Sequence, residues 1–361
     1  MDSHLLLIGL SFVLCAVISG AVFALSAKHE FLRHYLMTVP LSVICATVIT
    51  IGLISSVWWF PYDFVEDITL KKFLLALASF FIVLIFLLIK KSRFIAMGII
   101  LASCVCVFAS DIYITILPET YVWLNKIITV LLLYTYSMGF RALSGLNAYP
   151  QIQGIVISGG MTLLYFLGQS PFILGISSTS ILAAFFVAYL YSKEQFLGIQ
   201  NSPCLGFVLG WLGLLSAKEL LSPCFIIFSM LYLVELIISL ARKLTFSEKY
   251  RAIAENSASL QVLRSGLPTV DLVKHIINID ILLLIIGVFQ LASSSAHSFI
   301  SLAAIITVWQ IYRAVTWQEP EKTFKETSQE IKAQITETLS KLKSKKTSKS
   351  VNPKKRTSKK K

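Results

Sequence analysis

Few residues in this chain have the chemistry to act, and most of them stand in apolar surroundings. Of the six cysteines (Cys15, Cys45, Cys104, Cys106, Cys204, Cys224), only Cys104 and Cys106 have a suggestive C-x-C spacing. No second Cys or His pair completes a zinc site, so the six read as small buried hydrophobes. Glu235 falls inside an apolar run, where an ionisable group is either functional or paired within a helix bundle, here with Arg242 or another bundle-facing polar group. Asp111 and Asp280 stand at membrane depth or near a helix end, and Asp111 is expected at the outer surface. His29, His34 and His275 are scattered and read as interfacial side chains. A set of Lys and Arg residues in short polar stretches could bind anions, and their placement depends on the elements around them.

Those elements are apolar. Of 361 residues, 56% are hydrophobic and 14% charged, with a mean hydropathy of +0.77. A soluble domain is nearer a quarter charged, so water is not the solvent for most of this surface. Runs long enough to cross a ~30 Å hydrocarbon core recur from residue 5 to about residue 315. They predict an all-α bundle of eleven spans, over 5–27, 38–60, 73–89, 94–115, 121–140, 152–168, 171–191, 205–221, 222–241, 276–294 and 298–315. Helices are required because each must satisfy its own backbone in lipid. The leader Met-Asp-Ser-His has no Lys or Arg and the run behind it is long, so 5–27 reads as a retained helix rather than a cleaved signal.

Loop charges set the orientation. Alternate loops carry Lys28 and Arg33, then Lys90, Lys91 and Arg93, then Arg141, then Lys193, then the basic stretch 242–275. The opposite loops balance Lys71, Lys72, Lys126 and Lys218 against Asp63, Glu66, Asp67, Glu119 and Glu219. This places the N-terminus outside, the C-terminus in the cytoplasm, and requires an odd number of spans. A multi-pass membrane protein is expected.

The chain divides into a membrane domain, 1–315, and a basic tail, 316–361. Of the net charge of +13, eleven Lys or Arg residues with no acid lie between Lys341 and Lys361. Ile331, Ile335, Leu339 and Leu342 recur at helical spacing, predicting an amphipathic helix over 321–343 with a disordered end. Anionic headgroups are the simplest partner for such a tail, at ~1 kcal/mol per near-surface Lys or Arg. RNA or an acidic protein is the alternative, and a tail that only reinforces topology is the plainest reading.

Three stretches on the cytoplasmic side carry a resemblance. Residues 147–159 read NAYPQIQGIVISG, residues 196–207 read FLGIQNSPCLGF, and residues 257–267 read SASLQVLRSGL. Together they resemble the polyprenyl-phosphate N-acetylhexosamine-1-phosphate transferases, a family that includes the phospho-MurNAc-pentapeptide translocase. The first stretch lies on NAxNLIDGLDGL and keeps Asn147, Ala148, Ile152 and Gly154. The second lies on FMGDSGSLFLGF and keeps Phe196, Gly198, Ser202, Leu205, Gly206 and Phe207. The third lies on HLHHRLLRLGL and keeps Leu263, Arg264, Gly266 and Leu267. Glu235 and Arg242 loosely match an Asp and an Arg before that loop.

The resemblance implies a cytoplasmic groove in which a sugar-1-phosphate passes from a UDP-sugar to a polyprenyl phosphate. Two polyanions meet there, so the family needs Mg²⁺ held by carboxylates. In this chain the acids are replaced. The paired Asp after the third helix become Lys90 and Lys91, those of DG-x-DG become Gln153 and Val156, and that of GD becomes Ile199. The histidines of HLHH become Ser257, Ser259 and Leu260. A metal-dependent displacement would lack its main electrostatic contribution.

Three readings follow. In the first, the chain is a divergent homologue of this family in cell-envelope polysaccharide or peptidoglycan synthesis, its catalytic acids lost. It binds a polyprenyl phosphate or anionic lipid through Asn147, Lys193, Arg242 and Arg264, or scaffolds other enzymes. In the second, it is an active transferase using Mg²⁺ and a UDP-sugar, its metal held by substitute acids among Glu194, Glu235, Glu248, Glu255 and Asp271. In the third, it is an unrelated lipid or solute transporter, against which stands the lack of a two-fold repeat. Nucleic acid is not an expected partner of the membrane domain. The positive-inside rule alone also accounts for the basic loops.

Overall fold

The computed structural model describes residues 2–28, 38–57, 70–89, 92–140, 149–191, 202–218, 221–245, 269–292 and 296–316. Among these residues the regular structure is all helix, with no strand. The first helices are α1 (Asp2–Lys28), α2 (Thr38–Val57), α3 (Leu70–Leu88) and α4 (Ser92–Cys104), the last continued by a π-helical turn, Val105–Ala109. Then follow α5 (Val122–Gly139), α6 (Tyr149–Phe166), α7 (Phe172–Tyr191) and α8 (Ser202–Lys218). The rest are α9 (Ser222–Phe228), α10 (Met230–Thr245), α11 (Thr269–Leu291) and α12 (Ala296–Thr316). The basic tail lies outside the described residues.

Each of the eleven expected segments contains helix, with two differences in form. The segment 94–115 stops being helical at Ala109, and residues 111–118 run back beside α5. The side chain of Asn125 holds that return. It accepts from the Ile116 and Leu117 amides at 3.1 and 2.8 Å and donates to the Leu117 carbonyl at 2.9 Å. One turn further, the Thr129 hydroxyl accepts from the Ile114 amide at 3.0 Å. The second difference is in 222–241, which breaks at Ser229 into two helices bent by 65°. There the Ser229 hydroxyl donates to the Phe225 carbonyl at 2.7 Å and accepts from the Tyr136 hydroxyl at 3.2 Å. A serine bonded to the preceding turn is a known cause of a helix bend.

Among the described residues four helices are long and apolar enough to cross a membrane alone, within α1, α3, α7 and α11; the bent α9–α10 pair makes a fifth if it is one span. Shorter apolar helices lie within α2, α4, α8 and α12. Exposed faces carry large apolar side chains, such as Val17 at 63% and Ile305 at 66% exposure, which only an apolar solvent accommodates at this density. The chain is an all-α membrane protein.

At the centre of the bundle is α8, in contact with α2 to α7 and with α9. Every side chain from Ser202 to Ser216 is buried, as expected of a helix that is apolar on all faces. The rings of Phe73 and Phe80 from α3 pack on Trp211, with centroids 5.7 and 5.2 Å away. On its other side, a Cβ at Gly206 would stand 2.8 Å from the α5 backbone at Ser137. Small residues at such a contact are how helices approach closely in lipid.

At the end of the π-helical turn, Asp111 has a left-handed backbone (φ 57°), a conformation that Asp tolerates better than most residues. Lys126 contacts its carboxylate at 2.6 Å and Lys72 at 3.7 Å. The Lys126 ammonium also lies over the rings of Phe108, Tyr113 and Trp123. The Lys126 hydrogen bond, against some desolvation, holds the Asp111 carboxyl below its ordinary value. A carboxyl lowered by folding stabilises the fold above its unfolded value of ~3.9, and that contribution is lost as pH falls through the lower folded value. Asp111 is 46% exposed, so the effect is small and weakened by salt. We expect the melting temperature of the wild type to fall more steeply below about pH 4 than that of Lys126→Met. Parallel acid profiles of the two proteins would refute the pairing.

Candidate functional site: a buried carboxyl–amide pair

Gln153 is the fifth residue of α6, a helix that opens with Tyr149 and Pro150. Proline at this point costs nothing, because the first helical amides have no intrahelical acceptor. The buried face of α6 includes Gln153, Ile157, Gly160, Met161 and Leu164, which recur at helical spacing. On α11 the buried residues are Leu272, Ile276, Ile279, Asp280, Leu283, Ile286, Gly287 and Gln290, again one stripe. Those two stripes face each other and bring together two polar residues far apart in the chain.

The Gln153 Nε2 donates to Asp280 Oδ2 at 2.8 Å across 127 residues of sequence. Gln153 is 0% exposed and Asp280 1%. Seven residues on in each helix, about two turns, come Gly160 and Gly287. Both pack against the same ring, that of Phe228 at the end of α9: a Cβ at Gly160 would stand 2.6 Å from it, and one at Gly287 would overlap it. The polar pair and the ring therefore sit at matching levels, and α6 and α11 run in the same sense. Phe228 is the spacer that sets their separation. One turn beyond Gly287, the Cys224 thiol donates to Gln290 Oε1 at 2.8 Å, tying α9 to α11 again.

Above the bend, the Tyr232 hydroxyl of α10 donates to the Tyr136 carbonyl of α5. Glu235, one turn along α10, is fully buried. Between α6 and α7, the Thr162 hydroxyl donates to the Ser158 carbonyl at 2.9 Å and lies 3.1 Å from the Ser178 hydroxyl. Hydroxyl contacts of this kind hold helices together where apolar burial supplies no drive.

Of the positions where the resemblance puts the family's acids, the structure places two side chains; the matched Ile152, Gly154, Ser202, Leu205, Gly206, Phe207 and Glu235 are all buried. Gln153 is buried on Asp280, and Val156 is half-buried one turn away on the same helix. Lys90, Lys91, Asn147, Lys193, Ile199 and Arg264 lie outside the described residues, as do Arg141, Glu194, Glu248 and Glu255. Arg242 is on α10, its side chain outside the described set. Asp271 pairs with Lys274 at 3.1 Å on the exposed side of α11, and His275 is exposed nearby. Among the described residues no three His, Cys, Asp or Glu side chains come together. One carboxyl and one amide do not make the oxygen cage that Mg²⁺ requires, so the residues placed here do not fit that ion.

Sequence reasoning marked Gln153 as a replaced acid and Asp280 as an acid at membrane depth, but did not join them. The available signal was weak: neither is the only polar residue buried on its helix. No protein-family model matches the chain, and no curated protein matches it.

Proposed function

We propose that this all-α membrane protein is a divergent homologue of the polyprenyl-phosphate sugar-1-phosphate transferases whose metal-dependent transfer is lost. In this reading it spans a bacterial inner membrane eleven times, N-terminus outside and C-terminus cytoplasmic. Its cytoplasmic Lys and Arg residues hold a polyprenyl phosphate or an anionic lipid, and the basic tail adds a membrane or partner contact. The observation that supports the loss of transfer is the position of Gln153. A nucleotide diphosphate and its metal must reach this residue from the cytosol, yet its side chain has no exposed surface and is bonded to a neighbouring helix. The charge reversal from Asp pair to Lys90 and Lys91 supports the same reading, because a cationic pair repels the metal the chemistry needs.

The test is Mg²⁺-dependent exchange of labelled UMP into UDP-GlcNAc or UDP-MurNAc-pentapeptide, with purified protein and undecaprenyl phosphate. We expect no turnover above that of a Gln153→Ala control, with undecaprenyl phosphate still bound. Turnover that the control lacks would overturn the reading in favour of an active enzyme with a rearranged metal site. Loss of both turnover and lipid binding would remove the family reading altogether.

A further inference from the structure

Asp280 stands near the middle of α11, 1% exposed, and the only hydrogen bond it makes is the one from Gln153. Among the described residues no Lys, Arg or His lies within ion-pair distance of it. Two oxygens are left over, Asp280 Oδ1 and Gln153 Oε1, both buried and both without a hydrogen-bond partner. Both are acceptors, so neither can satisfy the other.

A pair that served only to fasten α6 to α11 would not need this composition. An Asn at 280 would make the same contact with no charge, and buried polar atoms in native structures are otherwise nearly all satisfied. What the pair lacks is one positive charge and one group that both oxygens can share.

Among the described residues the surroundings do not supply it. The helices packed against α11 are α6, α9 and α10. Their described titratable groups are Tyr149 and Tyr165 on α6, Cys224 on α9, and Tyr232 and Glu235 on α10. None of these is bonded to Asp280. Cys224 is bonded to Gln290 and Tyr232 to the Tyr136 carbonyl. On α11 itself, Asp271 and Lys274 pair with each other and His275 is exposed.

We propose that the Asp280–Gln153 pair is a site for one exchangeable proton, which neutralises Asp280 and joins the two unpartnered oxygens. A proton on Oδ1 turns that oxygen into a donor for which Gln153 Oε1 is the waiting acceptor. An ionisable side chain inside a membrane bundle that neutralises with an exchangeable cation is the common element of ion and proton pathways. The inference uses only these two residues and the helices that bring them together, and it stands apart from the family reading.

The full-length protein in detergent is treated with N,N′-dicyclohexylcarbodiimide, which labels carboxyl groups in apolar surroundings, and the labelled peptide is located by mass spectrometry. The reaction is run across a pH series, and at fixed pH with NaCl replacing choline chloride at constant ionic strength. We expect labelling at Asp280 that falls with rising pH and ignores Na⁺, which identifies the proton. Protection by Na⁺ at fixed pH overturns the proposal, because the site then takes a metal ion. Gln153→Leu, which keeps the carboxyl but removes the hydrogen bond that favours its charged form, should carry labelling about one pH unit higher, the tenfold worth of one such bond. Labelling of Asp280 that responds to neither pH nor Na⁺, or no labelling at all, overturns the proposal. The wild-type protein alone decides this, so the outcome does not depend on how well a variant folds. UMP exchange is not read in this assay, so its failure and that of the transferase reading remain separate.

Discussion

Truncating Phe228 to alanine should cost the fold about 3–5 kcal/mol, the largest single loss expected in the described part of this protein. The ring is fully buried at the end of α9, between Gly160 of α6 and Gly287 of α11, with Leu284 beside it. Three helices meet on it, and none of them can collapse into the space without shifting the other two. The opposite change, Gly287→Ala, places a methyl where the ring already is and should cost about 1–3 kcal/mol by overpacking. The informative protein is the double variant. With the ring removed, the added methyl partly fills the cavity, so Phe228→Ala with Gly287→Ala should be more stable than the sum of the two changes implies, by about 1 kcal/mol or more. Denaturant or thermal unfolding of the four proteins in one detergent closes the cycle. Strict additivity would mean that Phe228 does not sit between the two glycines. Because the same ring spaces α6 from α11, Phe228→Ala should also loosen the Gln153–Asp280 hydrogen bond two turns away.

A second large effect is expected at Gly206→Ala. Most glycines in this bundle face side chains that can swing aside, but Gly206 faces the backbone of α5 at Ser137, 2.8 Å from where a Cβ would be. Backbone cannot swing, so α5 and α8 must move apart, and α8 is the helix on which most of the others pack. A loss of about 1–3 kcal/mol follows, larger for Gly206→Val. Gly9 is the internal control. A Cβ there meets nothing within 4 Å, so Gly9→Ala should be neutral or gain up to ~1 kcal/mol from helix propensity. Melting temperatures of the two variants, measured side by side, test the assignment. Equal behaviour would mean that the α5–α8 contact is not made through backbone.

Both predictions concern contacts between helices, and this is where sequence and tertiary structure divide their work. That the chain is helical, where most helices lie, and that they belong in lipid were legible in the sequence. Hydropathy is a local property, and a segment without water must bond its own backbone. The expected segments 5–27 and 171–191 differ from α1 and α7 by a few residues at most. The departures arose where a side chain overrides the local rule. Asn125 and Thr129 capture 111–118 as a returning strand of chain, although its residues continue an apolar run. Ser229 bends a run that reads as one continuous span.

The candidate site divides the same way. Gln153 stood out in the sequence because of what it replaces, and Asp280 because an acid in an apolar run is costly. Their partnership was not legible, since nothing local in either helix encodes which face meets which. That depends on Phe228, on the two glycines that admit its ring, and on the parallel course of α6 and α11. A residue's type fixes what it can donate or accept. Only the packing of distant helices decides whether a buried carboxyl finds a counter-charge, and here it finds an amide.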